Sequence, residues 1–287
     1  MPVRRRVRRR SGRHVATSAA TWFTRPSGRL TVLGVLTLGV VVTVTPANGA
    51  ATDIASHVAS AFRGFVANSE KAQAISGTPA VGALFTSAQG KLGSHFCTAS
   101  VVHSPHGNLA ITAAHCVTGL SGTTVFVPGY RSGTEPYGVW TVSKVFVDNA
   151  WNSGSNQNDD VAFLKLTPQS GSGSIEDETG AETLATKTPA KQLVEVIGYP
   201  DGSDVPIACR NQTSQPMPGQ LEFDCGGYTD GTSGGPFLAG VNPGTGQGAV
   251  IGVIGGYEQG GVTPDVSYSS AFSDSVASLY ATAIAGS

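Results

Sequence analysis

From Val81 onward the chain is written as short apolar runs separated by turn signals, and that rhythm restricts the fold more than any other feature. Runs at 81–85, 98–102, 109–112, 124–127, 139–147 and 161–166 are rich in Val, Ile, Leu and Phe, and breaks such as Ser104-Pro105-His106-Gly107-Asn108 and Pro128-Gly129 divide them. A polar Gly/Ser stretch, Gln169-Ser170-Gly171-Ser172-Gly173-Ser174, then interrupts the pattern as a linker. Strands resume at 193–199, 222–224, 235–238, 248–254 and 266–268. Across 271–285, Phe272, Val276, Leu279, Tyr280 and Ile284 fall on one face of a closing helix. The reading is an all-β chain in two strand-rich halves with a C-terminal α-helix, and 287 residues give it ample core without heavy crosslinking.

The N-terminal 78 residues follow a different pattern. Nine of the 18 Lys and Arg residues lie before position 30, and the apolar run 30–44 follows them, with small residues at 47–51. Basic region, apolar region and small residues in that order describe a secretory signal over 1–50. An uncleaved signal anchor is the competing reading, although the run is shorter than the roughly 20 apolar residues of a stable span. Residues 51–78, with Ile54, Val58, Phe62, Phe65 and Val66 near a helical period, are a propeptide or a mature N-terminal extension. Beyond position 30, the 9 remaining basic residues face 19 acidic ones, a formal balance of −10 that argues against a nucleic-acid partner. Metal-ligand spacings and nucleotide loops do not occur, so no cofactor and no metal are expected.

Three segments carry chemistry. Gly231-Thr232-Ser233-Gly234-Gly235-Pro236 places a hydroxyl nucleophile among glycines that leave room for a substrate backbone. A serine needs a base, a group that orients the base and donors for the developing oxyanion. Thr112-Ala113-Ala114-His115-Cys116 offers His115 as the base, and Asp159-Asp160-Val161-Ala162-Phe163-Leu164 offers Asp160 at the mouth of a strand, with Asp159 as its rival. In the order His, Asp, Ser, these motifs resemble the chymotrypsin-like (trypsin-like) serine peptidases, over roughly residue 80 to the C-terminus.

The resemblance implies two antiparallel β-barrels: a first over 79–168, a linker over 169–184, and a second with the C-terminal helix over 185–287. His115 and Asp160 would come from the first barrel and Ser233 from the second, with the backbone N–H groups of Gly231 and Ser233 as the oxyanion hole. It further implies a Cys97–Cys116 disulfide anchoring the histidine loop, which leaves Cys209 and Cys225 to pair. An even cysteine count suits an extracellular, oxidising compartment. The implied protein is a secreted, monomeric serine endopeptidase acting on proteins or peptides, free of the membrane once its signal is removed. The alternative is a catalytically silent secreted binding module on the same fold.

The pattern also departs from the family. Where animal digestive relatives carry an aspartate that pairs with a new N-terminus, this chain has Thr232, a departure also seen among bacterial secreted relatives. Gly227 falls at the specificity-pocket floor, where trypsin is acidic, and Asp265 falls on the segment resembling a pocket wall. Asp265 either attracts a basic P1 side chain or is a solvated turn residue. Gly255, Gly256 and Tyr257 are expected to form the other wall. His95, His103 and His106 read as solvated, and Thr98 and Ser100 as ordinary strand positions.

Overall fold

The computed structural model describes residues 70–118 and 122–287. The expected signal over 1–50 and most of the 51–78 segment lie outside the described residues. What is described of that segment includes β1 (Gln73–Ala74).

Six strands close a first barrel: β2 (Val81–Ala88), β3 (Lys91–Val102), β4 (Leu109–Thr112), β5 (Thr123–Pro128), β6 (Trp140–Val147) and β7 (Ala162–Pro168), hydrogen-bonded in the order β2-β3-β4-β7-β6-β5. Strand alternation sorts its side chains into two populations. Leu84, Ala99, Val101, Phe126 and Leu164 fill one buried cluster with Trp140 and Trp151. Neighbouring positions Ala83, Phe85, Val125, Ile111 and Phe163 face the opposite way, into a cluster shared with Ile197, Tyr199, Leu238 and Val253 of the second half. At about 1.5–3 kcal/mol per fully buried large apolar side chain, this shared layer is the main attraction between the halves.

Of two short helices, α1 (Asn149–Gly154) lies between β6 and β7, and α2 (Ile175–Thr179) follows β7 on the way to the second half. The second half contains β8 (Thr183–Leu184), β9 (Leu193–Gly198), β10 (Ile207–Met217), β11 (Gln220–Asp224), β12 (Pro236–Ala239), β13 (Ala249–Val253) and β14 (Val266–Ser270). They join in the order β14-β11-β10-β9-β12-β13-β8, with β1 added to β10. Gly255 N–H donates to Tyr268 O at 2.9 Å and Val253 N–H to Ser269 Oγ at 2.9 Å, which draws β13 and β14 together into a second barrel. Val194, Val196, Phe223, Phe237, Ile251 and Ile254 form its interior.

The terminal helix α3 (Asp274–Gly286) starts where the Ser273 side chain caps it by accepting from Ser275 N–H, so Phe272 precedes the helix rather than opening it. It packs back on the first barrel, with Tyr280 and Phe163 rings 5.4 Å apart. The all-β, two-barrel expectation with a closing helix thus describes the fold.

Several details differ from expectation. Strand β10 was not anticipated because its residues are mostly polar and only Cys209 and Thr213 are buried; its pairing comes from backbone register with β9 and β11, not from an apolar face. The 169–184 segment is more than a linker, because it holds α2 and a strand, β8, that pairs in parallel with β13. The stretch at 70–75 is stitched to the second barrel. Gln73 and Ala74 pair with Ala208 and Ile207, Gly226 N–H donates to Glu70 O at 2.7 Å, and Ala72 N–H donates to Gly226 O at 2.8 Å.

Candidate active site

His115 sits in the turn that follows β4, Asp160 ends the tight turn Gln157–Asp159 just before β7, and Ser233 lies in the turn leading into β12. The Cys97–Cys116 disulfide ties the residue after His115 to β3, and Cys209–Cys225 joins β10 to the segment after β11. Because the sulfurs near His115 are bonded to each other, they offer no thiolate to a cation.

Asp160 is fully buried, which is costly for a carboxylate unless donors surround it. Three do. Its Oδ2 accepts from His115 Nδ1 at 2.7 Å and from Gly256 N–H at 2.9 Å, and its Oδ1 accepts from His115 N–H at 2.9 Å. Since a carboxylate can only accept, the imidazole proton resides on Nδ1, and Nε2 is left as a lone-pair base. Asp159 faces elsewhere, with Oδ2 accepting from Asn156 Nδ2 at 2.6 Å.

His115 and Ser233 line one cleft of about 660 Å³, together with Gly231, Asp230, Glu258 and the Cys97–Cys116 bridge. A second cavity of about 290 Å³ opens beside Ser233 and is bounded by Tyr228, Thr229, Asp230, Ile254, the 259–264 loop and Ser267. Among the described residues, neither Gly231 N–H nor Ser233 N–H has an internal acceptor. Gly231 has φ +88°, and a Cβ there would stand 2.6 Å from both Tyr199 O and Asp201 N, so glycine is required.

The wall residues are reassigned. Gly255, Gly256 and Tyr257 line neither cavity. They wrap Asp160 instead: a Cβ on Gly255 would meet Asp160 Oδ2 at 2.9 Å, Gly256 donates to that oxygen, and Tyr257 N–H donates to Gln220 Oε1 at 2.9 Å. Ile254 and the 259–264 loop form the wall in their place. Gly227 and Asp265 also lie off both cavities. Gly227 N–H donates to Pro264 O, and exposed Asp265 directs Oδ1 toward Gly226, beside the Lys71 stem.

Two further residues behave differently from their sequence reading. His95 is buried among Phe85, Tyr130 and Tyr199, with Nε2 3.1 Å from Ser203 O. Thr98 is fully buried and bonded to the nucleophile loop. A polar residue between Cys97 and Ala99 was the available signal for it, whereas the aromatic surroundings of His95 come from distant segments and leave no local trace.

A model of the trypsin family matches residues 67–274. The chain belongs to the trypsin family. Trypsin theta of Drosophila erecta is 32% identical over 114 residues, which are 39% of this chain. The chain spans about 40% of the length of that curated relative. Among solved structures, the protease Anisep from Arthrobacter nicotinovorans matches with a TM-score of 0.64 at 22% identity, covering 75% of this chain and 99% of its own. A thermostable serine protease, AL20, from an extremophilic microorganism matches at 0.63 with 24% identity, covering 73% and 99%. At these identities the two structures speak to the trypsin-like fold.

Proposed function

We propose that this trypsin-family chain is a secreted serine endopeptidase working through a Ser233/His115/Asp160 triad. The observation that carries the reading is a buried carboxylate fixing the His115 tautomer, with Ser233 and two unpaired N–H groups on the same cleft. In this mechanism Ser233 Oγ attacks the scissile carbonyl while His115 Nε2 takes its proton. Asp160 stabilises the imidazolium, and the Gly231 and Ser233 N–H groups receive the oxyanion, each worth about 3 kcal/mol in the transition state. His115 then protonates the leaving amine, and water repeats the sequence on the acyl-enzyme. Two disulfides among the described residues favour an extracellular site.

The cavity beside Ser233 is the candidate P1 site, and its character supports a neutral P1 residue. Ile254, Val262 and Pro264 are apolar, and the Tyr228 hydroxyl is spent on Val196 O at 2.7 Å. Asp230, the single acid on the wall, is exposed.

A fluorophosphonate probe tests the nucleophile. The folded protein should acquire one adduct, mapped by peptide mass to Ser233, and Ser233→Ala should acquire none. An unlabelled but correctly folded protein would favour the silent binding module.

A further inference from the structure

The loop 229–235 must hold two N–H groups toward the cleft, and most of its own bonds do not determine which way they point. Thr232 Oγ1 donates to Thr229 O at 2.7 Å and Gly235 N–H to Thr232 O at 2.9 Å, which tightens the loop upon itself. The bonds that orient it come from outside. Asp201 N–H donates to Asp230 O at 2.6 Å. In a trans peptide the C=O and the following N–H point in opposite directions. Fixing Asp230 O therefore directs Gly231 N–H away from Asp201. The next carbonyl, Gly231 O, accepts from Thr98 Oγ1 at 3.0 Å. The same hydroxyl accepts from Tyr199 N–H at 2.9 Å, and Thr98 N–H donates to Ser233 O at 2.7 Å.

Thr98 is thus a single residue on β3 of the first barrel that bonds the carbonyls of both residues whose N–H groups make the hole, and so holds the peptides next to the two donor peptides. Its own carbonyl accepts from Thr112 Oγ1 at 2.7 Å, and Thr112 opens the segment that ends at His115. The clamp leaves no slack, because a Cβ on Gly234 would lie 2.2 Å from Thr98 O and 2.1 Å from Thr112 Oγ1.

We propose that Thr98 is a positioning residue for the oxyanion hole: its hydroxyl, held between Gly231 O and Tyr199 N–H, fixes the 231–232 peptide that joins the two donor peptides and so keeps both in the productive orientation without help from a newly made N-terminus. The proposal rests on the peptidase reading above and concerns how its hole is maintained. Thr98 touches no reacting atom; it acts through Gly231 and Ser233. Once the hydroxyl is removed, Gly231 O and Tyr199 N–H are both buried without a partner, and rotation of the 231–232 peptide, which lies between the two donor peptides, relieves the first of them at the cost of the hole.

The test compares Thr98→Val, which keeps the shape and removes the hydroxyl, with Thr98→Ser, which keeps the hydroxyl. Full-length processed protein is assayed on a chromogenic peptide and against a peptide boronic acid, whose tetrahedral adduct places an oxygen in the hole. For Thr98→Val, kcat is expected to fall 30-fold or more with KM changed less than threefold, and boronate affinity to weaken in parallel. Thr98→Ser should recover to within about fivefold of the parent. A folded Thr98→Val with kcat within threefold of the parent overturns the proposal, as does a matched loss in Thr98→Ser. Should Thr98→Val fail to accumulate, Thr98→Ala carries the same comparison at lower temperature. A parent protein that itself neither cleaves nor labels refutes the peptidase reading instead, so the two failures are distinguishable.

Discussion

Glu182 is fully buried on the segment joining the barrels, and the catalytic scheme does not use it. Its Oε2 accepts from Gly248 N–H at 2.5 Å, while Oε1 has no partner among the described residues. Burial, with a smaller push from Glu195, raises its carboxyl from 4.5 to about 7 against the opposing Gly248 hydrogen bond. Between those values the folded protein holds a proton that the unfolded chain has lost. Stability is therefore full below about 4.5, declines as pH rises, and levels off once pH passes about 7. A gap of that width corresponds to roughly 3 kcal/mol at 1.36 kcal/mol per pH unit. Glu182→Gln keeps an acceptor for Gly248 and removes the charge. At pH 8.5 it should be more stable than the parent by about 2–3 kcal/mol, or roughly 5–10 °C in Tm for a domain of this size. At pH 4.5 the two should coincide within about 1 kcal/mol. The assay is thermal unfolding from pH 4 to 9 in a Ser233→Ala background, which prevents self-cleavage. Parallel Tm curves for Glu and Gln across that range would show that Glu182 does not hold a proton in the folded protein between pH 4.5 and about 7.

Other perturbations follow from the same geometry. Gly256→Ala forces a Cβ at φ 77° and ψ −124°, 2.3 Å from Gln220 Oε1. It should cost about 1–3 kcal/mol of stability, read by thermal melting, and lower kcat by disturbing the N–H that Asp160 accepts. Asp265→Asn should leave the ratio of cleavage after Arg to cleavage after Phe unchanged, because that carboxylate faces Gly226; a tenfold shift in P1-varied peptides would contradict the placement. If the chain is exported as proposed, its processed form should begin at or before Glu70, since 70–75 is bonded to the second barrel. N-terminal sequencing that starts beyond Ile75 would contradict this.

What the sequence revealed and what it hid have a common physical basis. His115, Asp160 and Ser233 are each embedded in a short local pattern that singles them out, and β4 and β7 are short apolar runs buried over most of their length, so neighbours alone mark them. Strand β10 escapes because its partners, not its own residues, make it a strand. Thr98 looks ordinary until Gly231 and Tyr199, more than a hundred positions away, converge on its hydroxyl. Gly256 looked like a pocket wall because its position along the chain suggested one, yet its N–H is committed to Asp160. For Asp265 the sequence left two readings open, and its exposed side chain, directed toward Gly226, agrees with the solvated turn residue.

If Ser233, His115 and Asp160 act as one unit, removing any one of them removes the function of all three, which a kinetic cycle measures. The kcat for a chromogenic peptide is measured in the parent, Ser233→Ala, His115→Ala and the double variant. The expected result is a loss of order 10⁶-fold in either single variant and no substantial further loss in the double. Losses that multiply, or turnover by Ser233→Ala within tenfold of the parent, would contradict the triad.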